Sequence, residues 1–183
     1  SGKAELKNHQ TQLDQGAAAL QQQKAAALQE LSDAETQLIQ GQQQASAGKE
    51  QLLAQVSLMQ NQLKDAWPQD SWETYQAAVE SGNTDNDAKN AFQTDLQNRV
   101  NAMTAALDAQ IRQLDPEEAD YEAKKLELEN QQTQLQQIPE GMSALTTQYE
   151  SVQATLLQLK EQQIQLQTKK QEALQQFADA EPS

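Results

Sequence analysis

The sequence has no cysteine, a single histidine and few aromatic residues, which make up 4% of the chain. Without cysteine the chain can form neither a disulfide framework nor a thiolate metal site. His9 lies among polar residues of a predicted helix and has no second imidazole to act with it. A zinc site or a histidine-dependent triad therefore lacks the residues that it needs. We predict no cofactor, no metal and no catalytic function.

Long apolar runs and clusters of basic residues are also absent. No apolar run approaches the roughly 18 residues of a membrane helix, and no signal peptide precedes the first predicted helix. The formal net charge is −14 and the pI is about 4.3. Nucleic acids and anionic membrane surfaces attract clustered Lys and Arg, which are scattered here. The composition argues against both as direct ligands.

Residues that form helices easily are abundant. Ala, Leu, Gln, Glu and Lys dominate, and about a fifth of the chain is Gln. Because aromatic residues are too few to fill a wide core, the composition predicts long helices that pack through narrow apolar seams. We therefore expect an all-α fold.

Two apolar rows at seven-residue spacing run through the last third of the chain. One row contains Tyr121, Leu128, Leu135, Met142, Tyr149 and Leu156, and the other contains Ile138, Leu145, Val152, Leu159, Leu166 and Ala173. Their 3-4 alternation is typical of a coiled-coil seam, which needs a partner helix. The first third of the chain contains a similar row, with one four-residue insertion, and is the predicted partner helix. This row consists of Leu6, Leu13, Leu20, Leu31, Leu38, Ala45, Leu52 and Met59.

Two prolines mark the ends of these long helices. Pro68 ends the first, and Pro116, with an acidic cap and two glutamates, indicates the start of the last. Between them we predict short helices from Asp70, as N-cap, to Glu80 and from about Asp87 to Leu114.

These boundaries divide the chain into a first coiled-coil arm at 3–66, a helical tip subdomain at 67–115 and a second arm at 116–180. Nearly equal arms around a compact middle predict a long antiparallel two-helix hairpin. Each arm would be about 95 Å long at 1.5 Å per residue. If the hairpin closes at the ends of the arms, facing residues have numbers that add to about 182.

The tip contains four of the seven aromatic residues: Trp67, Trp72, Tyr75 and Phe92. They form either a miniature core or a surface that contacts a partner protein, since aromatic residues dominate binding hot spots.

A hinge is the second candidate site. Pro139 and Gly141 interrupt the second arm, where proline removes a backbone hydrogen bond. The predicted pairing places them opposite about residues 41–43, in the part of the first arm that contains Gly41 and Gly48. The four residues either bend the stalk there or accommodate a bulged neighbour.

Other polar clusters have simpler explanations. Residues 83–87 resemble a calcium loop only faintly and lack its glycine and its final glutamate, so they predict a turn and a helix start. Glu117, Glu118, Asp120 and Glu122 lie where carboxylates stabilise a helix N-terminus.

Short repeats in the first arm lie at 11–20, 34–41 and 48–52, with the form Gln-Leu-x-x-Gly or Gly-Lys-x-Gln-Leu. They resemble the Ala/Gln/Glu-rich helical extracellular insert of FtsX-like (MacB-related) ABC transporter permeases of Gram-positive bacteria. The resemblance covers the first arm, extends to the second arm only in composition, and does not cover the tip.

The resemblance implies a stalk domain on the extracellular face of the bacterial cell membrane. Its partners would be the rest of the permease, a cytoplasmic ATPase subunit and an extracellular protein, with a homodimer formed through the parent transporter. Such a stalk would act in substrate export or in transmitting motion across the membrane.

Three alternatives remain. The α-hairpin of a membrane fusion (adaptor) protein of a secretion or efflux system is also an antiparallel coiled coil, although its tip is normally a short turn. A YhgE/Pip-like surface protein has comparable repeats with more Gly and Ser. A structural coiled-coil tether is the third. Membrane helices on both sides of this chain favour the permease. Lipoyl and β-barrel halves favour the adaptor, and the absence of both features favours a free-standing tether.

Overall fold

The structure, a computed structural model, describes residues 1–83 and 85–180. Its helices are α1 (Gly2–Leu63), α2 (Gln69–Glu80), α3 (Asp87–Gln113) and α4 (Tyr121–Ala180), and a short 3₁₀ helix, Lys64–Ala66, follows α1. No strand occurs in the described ranges. The all-α class is confirmed, as is the packing of a long N-terminal helix against a long C-terminal helix.

The start of the last helix differs from the prediction. The segment after Pro116 forms turns, and α4 begins only at Tyr121. In these turns the Asp115 carboxylate accepts a hydrogen bond from the Glu117 amide at 2.9 Å, so it caps a turn and not the helix. Asp70 likewise lies in the first turn of α2, and Pro68 occupies the position before the helix without a side-chain cap.

Helix α2 ends in a Schellman motif that requires glycine. The Gly82 amide donates to the Val79 carbonyl at 3.1 Å and the Asn83 amide to the Ala78 carbonyl at 2.9 Å. Gly82 has φ +78°, and an added Cβ would lie 3.3 Å from a methyl carbon of Leu157. Both the backbone conformation and the limited space therefore disfavour a side chain there.

The contacts divide the chain into two compact units. Unit 1 comprises Ser1–Gln44 and Gln158–Ser183, and unit 2 comprises Ala45–Leu157. The boundaries fall inside α1 and α4, so they differ from the predicted limits of arms and tip. Whether those predicted segments behave as domains stays a prediction.

Unit 1 is a pair of helices joined by a half-buried seam. Its half-buried residues include Leu20, Leu31, Leu38 and Gly41 on α1 and Leu159, Leu166, Ala173 and Phe177 on α4. The Gln42 amide donates to the Gln163 side-chain oxygen at 2.9 Å, and Lys170 pairs with Glu35 at 3.6 Å. None of its described residues is fully buried.

Unit 2 contains four helical segments around one core. Lys49 of α1 meets Glu80 at the end of α2, and Lys89 at the start of α3 meets Glu150 of α4. Farther along, Gln132 of α4 donates to the Thr104 carbonyl of α3 at 3.0 Å. The core is built from the following residues: Leu52, Val56, Leu63, Trp67, Trp72, Tyr75, Val79, Phe92, Leu96, Val100, Leu107, Leu135, Ile138, Met142, Leu145 and Tyr149.

The predicted pairing between α1 and α4 is wrong. Gly141 faces Met59 in unit 2 and Gly41 faces Leu159 in unit 1, so facing numbers add to about 200 instead of about 182. The prediction assumed that the segment between the two arms only joins their ends, which is not what the structure shows. Helix α3 forms its own antiparallel pair with the first part of α4, through Gln132 and Thr104, and this displaces the α1 pairing toward the end of α4.

Candidate functional site

Five aromatic side chains meet in unit 2. Phe92 lies 5.6 Å from Trp67 and 5.1 Å from Trp72 between ring centroids, and it stacks on Tyr75 at 6.1 Å. Tyr149 of α4 closes the cluster at 6.2 Å from Tyr75. Each of the five side chains is no more than 5% exposed. The four predicted tip aromatics therefore form a core, and none presents a free ring to a partner.

Tyr149 holds together α1, α2 and α4. Its hydroxyl donates a hydrogen bond to Glu80 Oε1 at 3.2 Å, and Lys49 Nζ pairs with the same oxygen at 3.3 Å. The Lys49 ammonium also lies 6.0 Å from the centre of the Tyr149 ring. The sequence pattern predicts Tyr149 as a seam residue but contains no signal for Glu80 and Lys49, which come from other helices.

Tyr75 makes the equivalent connection between α2, α3 and α4. Its hydroxyl donates to the Thr146 backbone carbonyl at 3.3 Å and lies beside the Glu150 carboxylate. Glu150 in turn pairs with Lys89 of α3 at 3.1 Å. Each buried tyrosine thus lies next to a carboxylate that a lysine neutralises. We call Tyr149, Glu80 and Lys49 the first tyrosine group, and Tyr75, Glu150 and Lys89 the second.

Both tyrosines remain protonated well beyond neutral pH. Burial is the largest cause that raises the pKa of each phenol above its ordinary value of 10.0, because a phenolate would lose its hydration. The negative charge of Glu150 raises the pKa of Tyr75 further, and Glu80 does the same for Tyr149. These hydroxyls donate hydrogen bonds that connect α2 with α4.

A shallow groove of unit 2 lies between α3 and α4 near the end of α1. Its lining is formed by Gln62, Met103, Ala106, Leu107, Gln110, Gln131, Gln134 and Leu135. The lining contains no charged side chain, and its polar groups are glutamine amides. Such a surface can contact another protein but carries no group that titrates near neutral pH.

The carboxylates before α4 are exposed and paired with one lysine. Lys124 Nζ lies 3.2 Å from Asp120 and 3.3 Å from Glu118. The hydrogen bond from Lys124 is the largest cause that lowers the pKa of Asp120, and these two carboxylates raise the pKa of Lys124. The cluster therefore forms an ion-pair group just before the start of α4.

The remaining polar candidates lie in separate places. His9 is exposed on α1. Asn83 and Asp85 each accept a hydrogen bond from the amide two residues later, at 2.9 and 3.1 Å, which gives the predicted turn before α3. Thr84 lies outside the described residues. Over the described chain, no three His, Cys, Asp or Glu side chains are grouped to hold a metal ion.

The predicted hinge residues do not lie at one level. Gly41 faces Leu159 and Gly141 faces Met59, so the prediction that Gly41 and Gly141 lie opposite each other is wrong. Helix α4 continues without interruption through Pro139. An added Cβ at Gly141 would lie 2.7 Å from the Met59 methyl, whereas at Gly48 it would meet nothing within 4 Å. Bending at Pro139 stays a prediction.

Comparisons with known proteins give no assignment. No family model matches the chain, and neither a curated protein nor a solved structure matches it. In the ranges that the structure describes, no helix is both long and apolar enough to cross a membrane. The functional assignment therefore depends on the residues and geometry of this chain.

Proposed function

We propose that the chain is a non-enzymatic helical stalk domain that acts through protein–protein contacts. The observation that carries the proposal is the burial pattern of unit 1. Its two helices pair along a seam whose described residues are at most half-buried, so the chain there builds length instead of a buried core that could enclose a site. Catalytic and small-molecule sites require a concave pocket with convergent polar groups.

The resemblance of the repeats supports a more specific version of this proposal. We infer that the stalk belongs to an FtsX-like ABC transporter permease and lies on the extracellular face of the membrane. In that setting, the stalk carries motion between the membrane part, driven by a cytoplasmic ATPase, and a substrate or protein outside the cell. The excess of acidic residues over basic residues favours partners with basic surfaces.

Cysteine labelling tests the location. The chain has no cysteine, so a Gln43→Cys variant of the natural protein that contains this chain adds one thiol at an exposed position of unit 1. We expect a membrane-impermeant maleimide to label it in intact bacteria as fully as in lysed cells. A Val100→Cys variant is the matched control, because that buried position should react only after denaturation. Labelling of the Gln43→Cys variant that requires lysis would exclude an extracellular stalk.

A shortened stalk tests the mechanical role. Deleting 31–37 from α1 and 168–174 from α4 removes one heptad from each facing helix of unit 1 and preserves the seam. We expect export by the parent protein to fall at least about tenfold, a change of about 1.4 kcal/mol in the limiting step. The control keeps the length and replaces the exposed Gln40 and Gln167 by Ala. Full export by the shortened protein would contradict the proposal.

A further inference from the structure

The groove between α3 and α4 begins where α1 ends, at a point inside the chain. Leu63, the last residue of α1, is 2% exposed, and the Ala66 carbonyl just after it accepts a hydrogen bond from Arg99 of α3 at 3.2 Å. Pro68 leads the chain into α2, whereas α3 and α4 continue as a pair to the turns at 114–120. The groove therefore lies along a part of this pair that extends past the end of α1.

Burial along α3 falls beyond this point. Leu96 and Val100 are each 1% exposed, whereas Leu107 is 8% exposed and Met103 is half-buried. The groove spans residues 103–110 of α3, which is two turns or about 10 Å. A helix placed in the groove would cover this part of the α3–α4 seam, as in complexes where a partner helix buries its apolar stripe in a groove.

The side chains of the groove suit an amphipathic helix. Met103, Leu107 and Leu135 form an apolar floor, with the small Ala106 beside them. Methionine adapts its shape to different apolar partners. Four glutamine amides also line the groove, and each can donate and accept hydrogen bonds at the polar edge of a bound helix. We call this groove, with the eight lining residues given above, the glutamine groove.

The charge around the glutamine groove indicates the kind of helix that it binds. Residues 103–135 contain eight acidic and three basic residues, a formal charge of −5. Glu127 lies four residues before Gln131 and seven before Gln134, so it continues their row on the surface of α4. A second copy of this chain carries the same negative charge here and would be repelled. We propose that the groove binds an amphipathic helix of a partner protein, with leucine-like side chains on its apolar face and lysine or arginine beside them.

The expected affinity is modest and depends on salt. A groove of this length buries about two or three apolar side chains of the partner helix, and the charge pairs lie at its exposed edge. We therefore expect a dissociation constant on the order of 10 to 100 μM at low salt. Raising the ionic strength should weaken binding, because salt screens exposed charges.

A synthetic peptide serves as the probe. It consists of two heptads with Leu at positions a and d, Lys at positions e and g, and Ala at the others. Fluorescence anisotropy of the labelled peptide measures its binding to the 183-residue chain. The control peptide replaces each Lys by Glu and should bind at least about tenfold more weakly, because its charge opposes the acidic surface.

One pair of substitutions separates the groove from the general attraction of unlike charges. Ala106 lines the groove and its neighbour Ala105 does not, while both are exposed. Ala106→Arg fills the groove with a bulky cation and should weaken binding of the Lys peptide at least about tenfold. Ala105→Arg adds the same charge on another face of α3 and should change binding less than about threefold. Circular dichroism should show the same helix content for both variants.

A second pair of substitutions tests the carboxylate beside the groove. Glu127→Gln removes the charge that continues the glutamine row and should weaken binding of the Lys peptide about threefold. Glu140→Gln removes the same charge from an exposed position of α4 outside this row. We expect Glu140→Gln to leave the affinity within about 1.5-fold of the original, because an exposed charge acts weakly over that distance.

Methionine methyl NMR locates the bound peptide. The chain has three methionines, of which Met103 lines the groove and Met142 is 1% exposed in the core. The methyl resonance of Met103, assigned from a Met103→Leu variant, should shift when the Lys peptide is added. The resonance of Met142 should stay in place, because no peptide reaches it.

Several results would overturn the proposal. They are no binding of the Lys peptide at about 1 mM, equal binding of the Lys and Glu peptides, and a Met103 resonance that does not shift. Equal losses for Ala105→Arg and Ala106→Arg, or for Glu127→Gln and Glu140→Gln, would also overturn it. The proposal does not depend on the stalk function proposed above, because the purified chain and the peptide are sufficient for every measurement.

Discussion

The two units use similar heptad patterns but bury them to different depths. All fully buried side chains of the described chain lie in unit 2, between Leu52 and Gln153, whereas the seam of unit 1 is only half-buried. The difference arises from the number of neighbours around each seam. In unit 1 one helix covers another, while in unit 2 helices α2 and α3 cover the pair from further sides. A heptad row therefore predicts which face packs but not how deeply.

The units also differ in charge. Unit 2 contains 18 of the 27 acidic residues and 7 of the 13 basic residues, which leaves a formal charge of −11 there and −3 in unit 1. The more strongly charged unit is the one with the larger core. Repulsion between like charges destabilises the folded state, and it is strongest in unit 2. Unit 2 also has the larger buried apolar core, which stabilises the folded state against this repulsion.

The largest expected loss of stability comes from removing one leucine of unit 2, which we compare with removing one leucine of unit 1. Leu96 of unit 2 is 1% exposed and Leu166 of unit 1 is half-buried. We expect Leu96→Ala to lower the free energy of unfolding by about 3 kcal/mol, because it loses apolar burial and leaves a cavity, and Leu166→Ala by about 1 kcal/mol. Urea unfolding followed by circular dichroism measures both. Equal losses would mean that burial does not distinguish the units.

High pH should destabilise unit 2 selectively. Because the pKa values of Tyr75 and Tyr149 are raised in the folded state, the unfolded chain releases these protons first. Their contribution to stability is complete below pH 10 and falls as pH rises further, by about 1 kcal/mol per pH unit for each tyrosine.

Urea unfolding at pH 9, 10 and 11 measures this slope. The matched variant, Tyr75→Phe with Tyr149→Phe, should show a flatter dependence because both titrating phenols are gone. If the original chain and the variant lose stability in parallel, the buried tyrosines are not the cause.

Glycine substitutions should have opposite signs at two positions. Gly82→Ala in unit 2 is expected to cost about 1 to 2 kcal/mol, because alanine disfavours φ +78° and its methyl would press against Leu157. Gly16→Ala in unit 1 is expected to raise the local stability of α1 by about 0.5 to 1 kcal/mol, because its helix has free space there. Hydrogen exchange of the nearby amides measures both effects, and destabilisation by Gly16→Ala would contradict this account.

The smallest expected difference concerns the two cross-helix ion pairs. Lys89→Met in unit 2 should cost about 1 kcal/mol, because Glu150 would remain beside the Tyr75 hydroxyl without its cation. Lys170→Met in unit 1 should cost less than about 0.5 kcal/mol, since its pair with Glu35 is longer and more exposed. Thermal unfolding of the two variants at low and high salt measures both losses of stability. A larger loss for Lys170→Met than for Lys89→Met would contradict this prediction.

The sequence contains enough information to predict the helices but not the pairing of α1 with α4. Proline and glycine signals near Pro68 and Gly82 mark the helix ends closely, because backbone chemistry acts locally. The register depends on where α3 packs. That choice is made by long-range contacts such as Gln132 with Thr104, which no local pattern encodes.

The tyrosine groups are only partly predictable for the same reason. Tyr75 is apparent as a tip aromatic and Tyr149 as a seam residue, each from its own segment. Their meeting at 6.2 Å depends on the shifted pairing of α4, and so do the contacts with Glu80 and Glu150. Pattern reasoning identifies residues that pack, whereas their carboxylate neighbours are set by the tertiary fold.

The pairing of α3 with α4 also has a consequence for the order of folding. Gln132 and Asp108 are 24 residues apart in the chain, whereas Gln42 and Gln163 in unit 1 are 121 apart. Closing the longer loop costs about 1.4 kcal/mol more in chain entropy. The half-buried seam of unit 1 offsets little of this cost, because it buries little apolar surface. Unit 2 should therefore form first and bring the two long helices together. The helices of unit 1 should pair afterwards, and in native-state hydrogen exchange unit 1 should open before unit 2.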